Sequence, residues 1–449
     1  MSLKLILKAI IRTLAEFLEM PRLLKSQNYS FKSLLISNLK ELAARTKADE
    51  FEFLGHFGEL NFDIEKMESG YFGSFEIAKG VLPTNAVRIF GSHITCSIGH
   101  TSHQIALRVR AAQVENESNQ SFLILIGRSQ NRVYARYWGK YFPVLETDQS
   151  IVNQIEKYAW RYLEPAWIYP SVQNESLELN LWREKFDFYT REKFRIHGIS
   201  PELNLHDNEL VNGYNFLRSK GCDLAKGDYF VTIHVRSQAA YYRGSDRSKE
   251  YARNANIDTY LPAIRWITEN GGFVVRVGSY GVNRLPPLPR VIDYAATENQ
   301  SESLNTFFLG ACKYMIGTTS GPIGVPSTFG IPTLQTNATM GRNPWFPNSL
   351  MIPKLARHQS GEILTLDEMV ESGVAWRDHF ASSDGKILWR DNTEDEILAA
   401  VKDIHGGENG TLSWDQRAYV DRIREFGSDS TGDIAPSFLH AHRHGLLGK

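Results

Sequence analysis

Cysteine is scarce: Cys96, Cys222 and Cys312 are the only three in 449 residues. They lie too far apart for a CxxC pair and are too few for a disulfide framework, which excludes a small stapled secreted scaffold and fits a reducing cytoplasm. Net charge is equally slight, with 50 basic against 51 acidic side chains. No whole-protein field is present to grip nucleic acid, and no nucleic-acid partner is expected. Apolar runs of the roughly 20 residues that a spanning helix needs are missing. No apolar h-region with a small-residue cleavage site stands near the start, so triplets such as Asn116-Glu117-Ser118 and Asn174-Glu175-Ser176 read as chance and not as glycosylation acceptors.

Motifs are missing as well. There is no G-x-x-x-x-G-K-[ST], which rules out a P-loop, and no G-x-G-x-x-G opens a first helix. No HExxH or DxD dyad suggests a metal, and His440, His442 and His444 read as incidental tail residues, so no required metal and no cofactor are expected. Solenoid repeats and low-complexity tracts are absent.

What is present is an ordinary globular composition, 42% hydrophobic, 12% aromatic and 22% charged. The length suits two or three domains. The first 25 residues form a basic amphipathic pattern: Leu3, Ile6, Ile10, Leu14 and Leu18 fall near helical spacing, with Lys4, Lys8 and Arg12 between them. Such a helix packs on its own domain; peripheral contact with an anionic membrane surface is the second reading.

From Ser92 onward apolar runs alternate with helical patterns. "HITCSIG" reads as a strand, "SHQIALRVRAAQ" as a helix, "SFLILIG" and "YFPVLE" as strands. A second series follows a polar helical stretch: strand 229–235, helix 257–270 capped by Asn256 and ended by Gly271-Gly272, strands 273–277 and 291–295, helix 301–313, strand 314–317, helix 322–329 and strand 331–335. Unbroken apolar strands separated by helices imply parallel sheets covered on both faces. The expected fold class is α/β, GT-B-like: two Rossmann-like domains facing across a cleft, with N-terminal and C-terminal helical extensions. The boundaries are 1–90 for the N-terminal extension, 91–220 for the acceptor domain with its helical linker, 221–360 for the donor domain and 361–449 for a C-terminal helical segment.

Ligands in such sheets sit beyond the carboxyl ends of strands. There "TIHVRS" places His234 and Arg236, and "FVVRVGS" places Arg276. Guanidinium groups at strand ends suit a diphosphate. "YMIGTTSGPIGVPSTFGIPTL" breaks a strand into Thr319-Ser320-Gly321 before a helix that Pro322 starts. Ser320 is expected to cap that helix, whose free N–H groups would favour a phosphate. In the first domain "SIGHTSHQI" sets His100 and His103 between strand and helix, His100 as candidate general base. His56 and Glu59, in "FLGHFGELNFD", are acceptor-side candidates together with His103.

"IHVR", "ARNANIDTYLPAIRWITENGGFVVRVGS", "VIDYA", "FFLGACKYMIGTTSGP" and "FGIPTLQTN", preceded by "SIGH" and "IALRVRAAQ", resemble a family of bacterial GT-B glycosyltransferases encoded among polysaccharide-biosynthesis genes. The resemblance spans roughly residues 90–405. More loosely, the H-x-R strand followed by a T-S-G turn is similar to fucosyltransferase- and heptosyltransferase-like enzymes. It implies that Arg236, Thr319, Ser320 and Gly321 hold the donor diphosphate and that Arg253-Asn254 face the same site. Ser237 and Asn305 stand where that pattern carries acidic residues.

The function expected is transfer of a sugar from a nucleotide-diphosphate donor, a UDP-sugar favoured, to a glycan or lipid-linked acceptor, in the cytoplasm or on the inner membrane face, with inversion slightly favoured. A nucleotide-sugar epimerase and a non-catalytic nucleotide- or glycan-binding protein are the alternatives from other classes.

Overall fold

The computed structural model describes residues 87–109 except 107 and 121–158 except 128–130, then 202–237, 251–279, 282–338 except 299, 349–374 except 373, 386–407, 412–425 and 434–448. The candidates His56 and Glu59 and the amphipathic segment 1–25 lie outside the described residues. The chain divides into two compact units, Met1–Thr190 and Arg191–Lys449.

In the first unit β1 (Val87–Phe90), β2 (Ser121–Ile126) and β3 (Val144–Glu146) form a parallel sheet in the order β1-β2-β3. β1 thus begins inside the stretch read as an extension. Phe90 stacks on Phe122 at 4.7 Å, and buried Tyr134 and Trp138 fill the adjoining core. The expected strand "HITCSIG" is wrong: these residues form short helices at Ser92–Thr95 and Ile98–His100. Tertiary contacts override strand propensity here. The Ser92 N–H and hydroxyl both reach the Glu156 carboxylate, and Thr95 Oγ1 donates to the Leu125 carbonyl at 2.7 Å.

In the second unit six strands lie parallel: β4 (Phe230–His234), β5 (Phe273–Arg276), β6 (Val291–Ile292), β7 (Met315–Thr318), β8 (Thr333–Ala338) and β9 (Leu350–Pro353). Their spatial order is β6-β5-β4-β7-β8-β9. Counted within the unit this is 3-2-1-4-5-6, the doubly wound Rossmann order, and it reverses direction between β4 and β7. Every residue of β4, β5, β7 and β8 is buried, as expected for a sheet with helices on both faces. The helix Asp207–Ser219 packs on Glu302–Gly310 so closely that a Cβ at Gly213 would fall 2.2 Å from the Phe307 ring.

The helix Leu261–Glu269 follows a 3-10 turn at Ile257–Tyr260, and the Asn256 side chain caps that turn by accepting from Asp258 N. The acidic helix Glu394–Gly406 starts from a capping box of Thr393 and Glu396. The final stretch expected to be helical also holds β11 (Ile387–Arg390), paired antiparallel with β10 (Leu355–His358). His440, His442 and His444 are not a loose tail. They lie on or beside the helices Pro436–Ala441 and Arg443–Leu447, and His442 binds the Glu396 carboxylate at 2.5 Å.

Candidate functional site

The reversal between β4 and β7 opens a crevice at the carboxyl ends of those two strands, because the connections leaving them run to opposite sides. His234 is the last residue of β4, and Arg236 follows two residues on. Thr319, Ser320 and Gly321 follow β7 directly. The two expected motifs, far apart in sequence, therefore meet across one strand boundary.

Hydrogen bonds fasten them together. Arg236 N donates to Thr318 Oγ1 at 3.0 Å, and Arg253 Nε donates to the Thr319 carbonyl at 3.2 Å. Thr319 Oγ1 accepts from Gln335 Nε2 on β8 at 2.9 Å. His234 bridges the strands: Nδ1 lies 3.2 Å from the Val277 carbonyl and Nε2 lies 3.1 Å from Ser320 Oγ. Burial, assisted by the charges of Arg236 and Arg276, pushes the His234 pKa down to about 4, so the ring is neutral at pH 7.

The segment carrying Arg253 and Asn254 is pinned over this end of the sheet. Ala255 N donates to the Arg236 carbonyl at 3.0 Å, and Lys354 Nζ donates to the Asn254 carbonyl at 2.8 Å. Lys354, its side chain 1% exposed, also pairs with Asp391 at 2.6 Å. Burial lowers the lysine's pKa, and the Asp391 carboxylate opposes that shift.

Two expectations need correction. Pro322 does not begin one long helix. Gly321–Gly324 form a 3-10 turn and only Val325–Thr328 are α-helical, because Pro326 removes another N–H four residues later. Ser320 makes no side-chain cap, its hydroxyl being engaged by His234. A helix macrodipole is therefore too short to hold an anion here. Arg276 ends β5 as expected, but Nη1 donates to the Asn283 carbonyl at 2.6 Å and pairs with Asp293 at 3.4 Å. Its charge is answered within the β5–β6 edge, while Arg236 and Arg253 lie by the β4 and β7 ends.

In the first unit His100 sits at the end of a short helix instead of a strand end, with Nδ1 3.1 Å from the His93 carbonyl. In the neutral ring that bond places the proton on Nδ1. His103 is buried, within the π-helical turn Thr101–Ile105.

No protein-family model matches the chain, and no curated protein matches it. Solved structures resemble it distantly. A glycosyltransferase family 9 protein from Veillonella parvula DSM 2008 is 10% identical, with a TM-score of 0.42 over 71% of this chain and 96% of that one. The E. coli ADP-heptose LPS heptosyltransferase II is 10% identical, TM-score 0.37, over 60% and 90%. The E. coli heptosyltransferase WaaC with ADP is 12% identical, TM-score 0.32, again over 60% and 90%. The α/β architecture stated above rests on the strand order itself.

Reading the sequence missed Lys354, Asp391 and Gln335. Lys354 had a visible signal, since it interrupts the apolar "LMIPKLA" just as Arg276 interrupts "FVVRV". Gln335 and Asp391 had none, because a polar residue in a strand or loop acquires meaning only from the neighbour it meets. Among the described residues no group of three or more His, Cys, Asp or Glu is arranged to hold a metal, and no helix is long and apolar enough to cross a membrane.

Proposed function

We propose that the protein is a GT-B-type glycosyltransferase that moves a sugar from a nucleoside diphosphate, a UDP-sugar first among candidates, to a glycan or lipid-linked acceptor of cell-surface polysaccharide synthesis. The observation that carries this reading is Arg236, a buried arginine 5% exposed, two residues past β4 at the topological switch point beside the Thr319-Ser320-Gly321 turn.

In the transfer, the bond from the anomeric carbon to the β-phosphate oxygen breaks and the acceptor oxygen takes its place. Negative charge grows on the leaving diphosphate. A fixed guanidinium in a dry site offsets that charge more effectively in the transition state than in the ground state. Arg236 fills this role, with Arg253 beside it, and the reading calls for no metal. For inversion, His100 is the candidate base for the acceptor proton.

A thermal-shift screen against UDP-, GDP-, dTDP-, ADP- and CMP-sugars tests the reading, because a ligand that binds only the folded state raises its stability. One diphosphate series should respond and CMP-sugars should not. For the responding series, Arg236→Ala should weaken binding about 100-fold, a loss of the size expected for a buried charge-assisted contact, and Arg236→Lys about ten-fold. His100→Ala should leave donor affinity unchanged and slow transfer. Wild-type affinity in Arg236→Ala would refute the diphosphate clamp. Donor consumption with neither acceptor nor nucleotide release would favour the epimerase instead.

A further inference from the structure

The His234–Ser320 bridge fixes more than the spacing of β4 and β7. A backbone carbonyl only accepts, so the 3.2 Å contact from His234 Nδ1 to the Val277 carbonyl requires the proton on Nδ1. The buried ring is neutral at pH 7, which leaves Nε2 a lone pair and nothing to donate. Ser320 Oγ, 3.1 Å from Nε2, must then give its only proton to the histidine. What remains on Ser320 is lone pairs. An ionised diphosphate also offers only lone pairs, so a phosphate oxygen placed against Ser320 would meet an acceptor with an acceptor, or else break the bond to His234 and leave a buried nitrogen unsatisfied.

We propose that Ser320, oriented by His234, is a specificity-determining acceptor that receives a hydroxyl of the bound sugar nucleotide and makes no contact with its diphosphate. The proposal rests on the glycosyl-transfer reading and refines it: anion binding belongs to Arg236 and Arg253, and the serine between those strand ends recognises the sugar part of the ligand. The hydroxyl has two sources, the ribose and the transferred sugar. His234 is a positioning residue, acting through Ser320. A site built around a hydroxyl discriminates against analogues that lack it, because its own polar group is then left unpaired.

The test measures affinity of wild type, Ser320→Ala and Ser320→Cys for inorganic pyrophosphate, UDP and UDP-glucose, or for the matching pair from whichever nucleoside diphosphate series shifts the wild type. Pyrophosphate affinity should stay within about two-fold in both variants, whereas UDP-glucose should bind about five- to ten-fold more weakly, the size of one lost neutral hydrogen bond. If UDP weakens equally, the hydroxyl is the ribose's; if UDP is unaffected, it is the transferred sugar's. Equal weakening of pyrophosphate, or no weakening of any probe, overturns the proposal and leaves the glycosyl-transfer reading standing. A wild type that binds none of the nucleotide sugars overturns both. A ligand-free measurement stands beside it: the imidazole nitrogen signals absent from His234→Gln should identify His234 in the wild type as the Nδ1–H tautomer at pH 7. An Nε2–H tautomer or an imidazolium would overturn the assignment of Ser320 as acceptor.

Discussion

The turn after β1 in the first unit and the turns after β4 and β7 in the second occupy equivalent places at the carboxyl ends of parallel strands, yet they are filled by opposite chemistry. After β1 the N–H and hydroxyl of Ser92 are met by Glu156, a carboxylate of the same unit. After β4 and β7 the groups gathered are a neutral histidine, hydroxyls, the backbone N–H of Arg236 and the Arg253 guanidinium. The first turn satisfies its donors internally and so serves to hold a helix. The second brings a buried histidine, hydroxyls and two arginines to one strand boundary.

Acid should separate the two turns most strongly. The folded pKa of His234 is depressed, so its contribution is whole above the unfolded value near 6.5 and is lost as pH falls toward about 4. The shift corresponds to roughly 3 kcal/mol of stability lost from the second unit across that window. Urea unfolding followed at pH 7 and pH 4.5 should show this in the wild type, and His234→Gln should show a clearly smaller fall. An equal fall in the variant would mean that another group governs it.

Removing the internal anion tests the other side. Glu156→Ala should cost about 2 kcal/mol, from loss of the charged partner of Ser92. Hydrogen exchange should report the opening in β1 and the helices after it, with β4 and β7 unchanged. A loss spread over both units would contradict the division drawn here.

The smallest effect concerns Lys354. Lys354→Met keeps the length and apolar stem, and Asp391 is exposed enough to be hydrated once its partner is gone, so stability should change by less than about 1 kcal/mol. Diphosphate affinity should nevertheless fall about three-fold, since Asn254 and Arg253 lose the contact that pins their segment. Unchanged affinity would show that the Arg236 and Thr319 carbonyls hold the segment unaided.

Much of the second unit was legible in the sequence. Strands β4, β5 and β7 are largely apolar runs buried on both faces, and Asn256 caps the turn that opens its helix. The first unit was less so. "HITCSIG" has the β-branched content of a strand and is helical, because the preceding Ser92 is anchored by Glu156, 64 residues further on. Within the site, His234, Arg236 and the Thr319-Ser320-Gly321 turn were singled out by their place after strands. The polarity of each hydroxyl was beyond reach, since it depends on which partner each one meets. Arg236 and Arg276 look alike in sequence, and the structure pairs Arg276 with Asp293.

The sequence by itself determined the local events: where strands run, where they stop, and that arginines and small hydroxylated residues follow those stops. These depend on side-chain periodicity and on neighbours a few positions away. The tertiary structure decided which stops adjoin. The order β6-β5-β4-β7-β8-β9 places β7 beside β4 although more than 80 residues separate them, and that adjacency turns a histidine and a serine into a bonded pair. Strand order is set by crossover handedness and by burial of the whole sheet, quantities that no short stretch of chain contains.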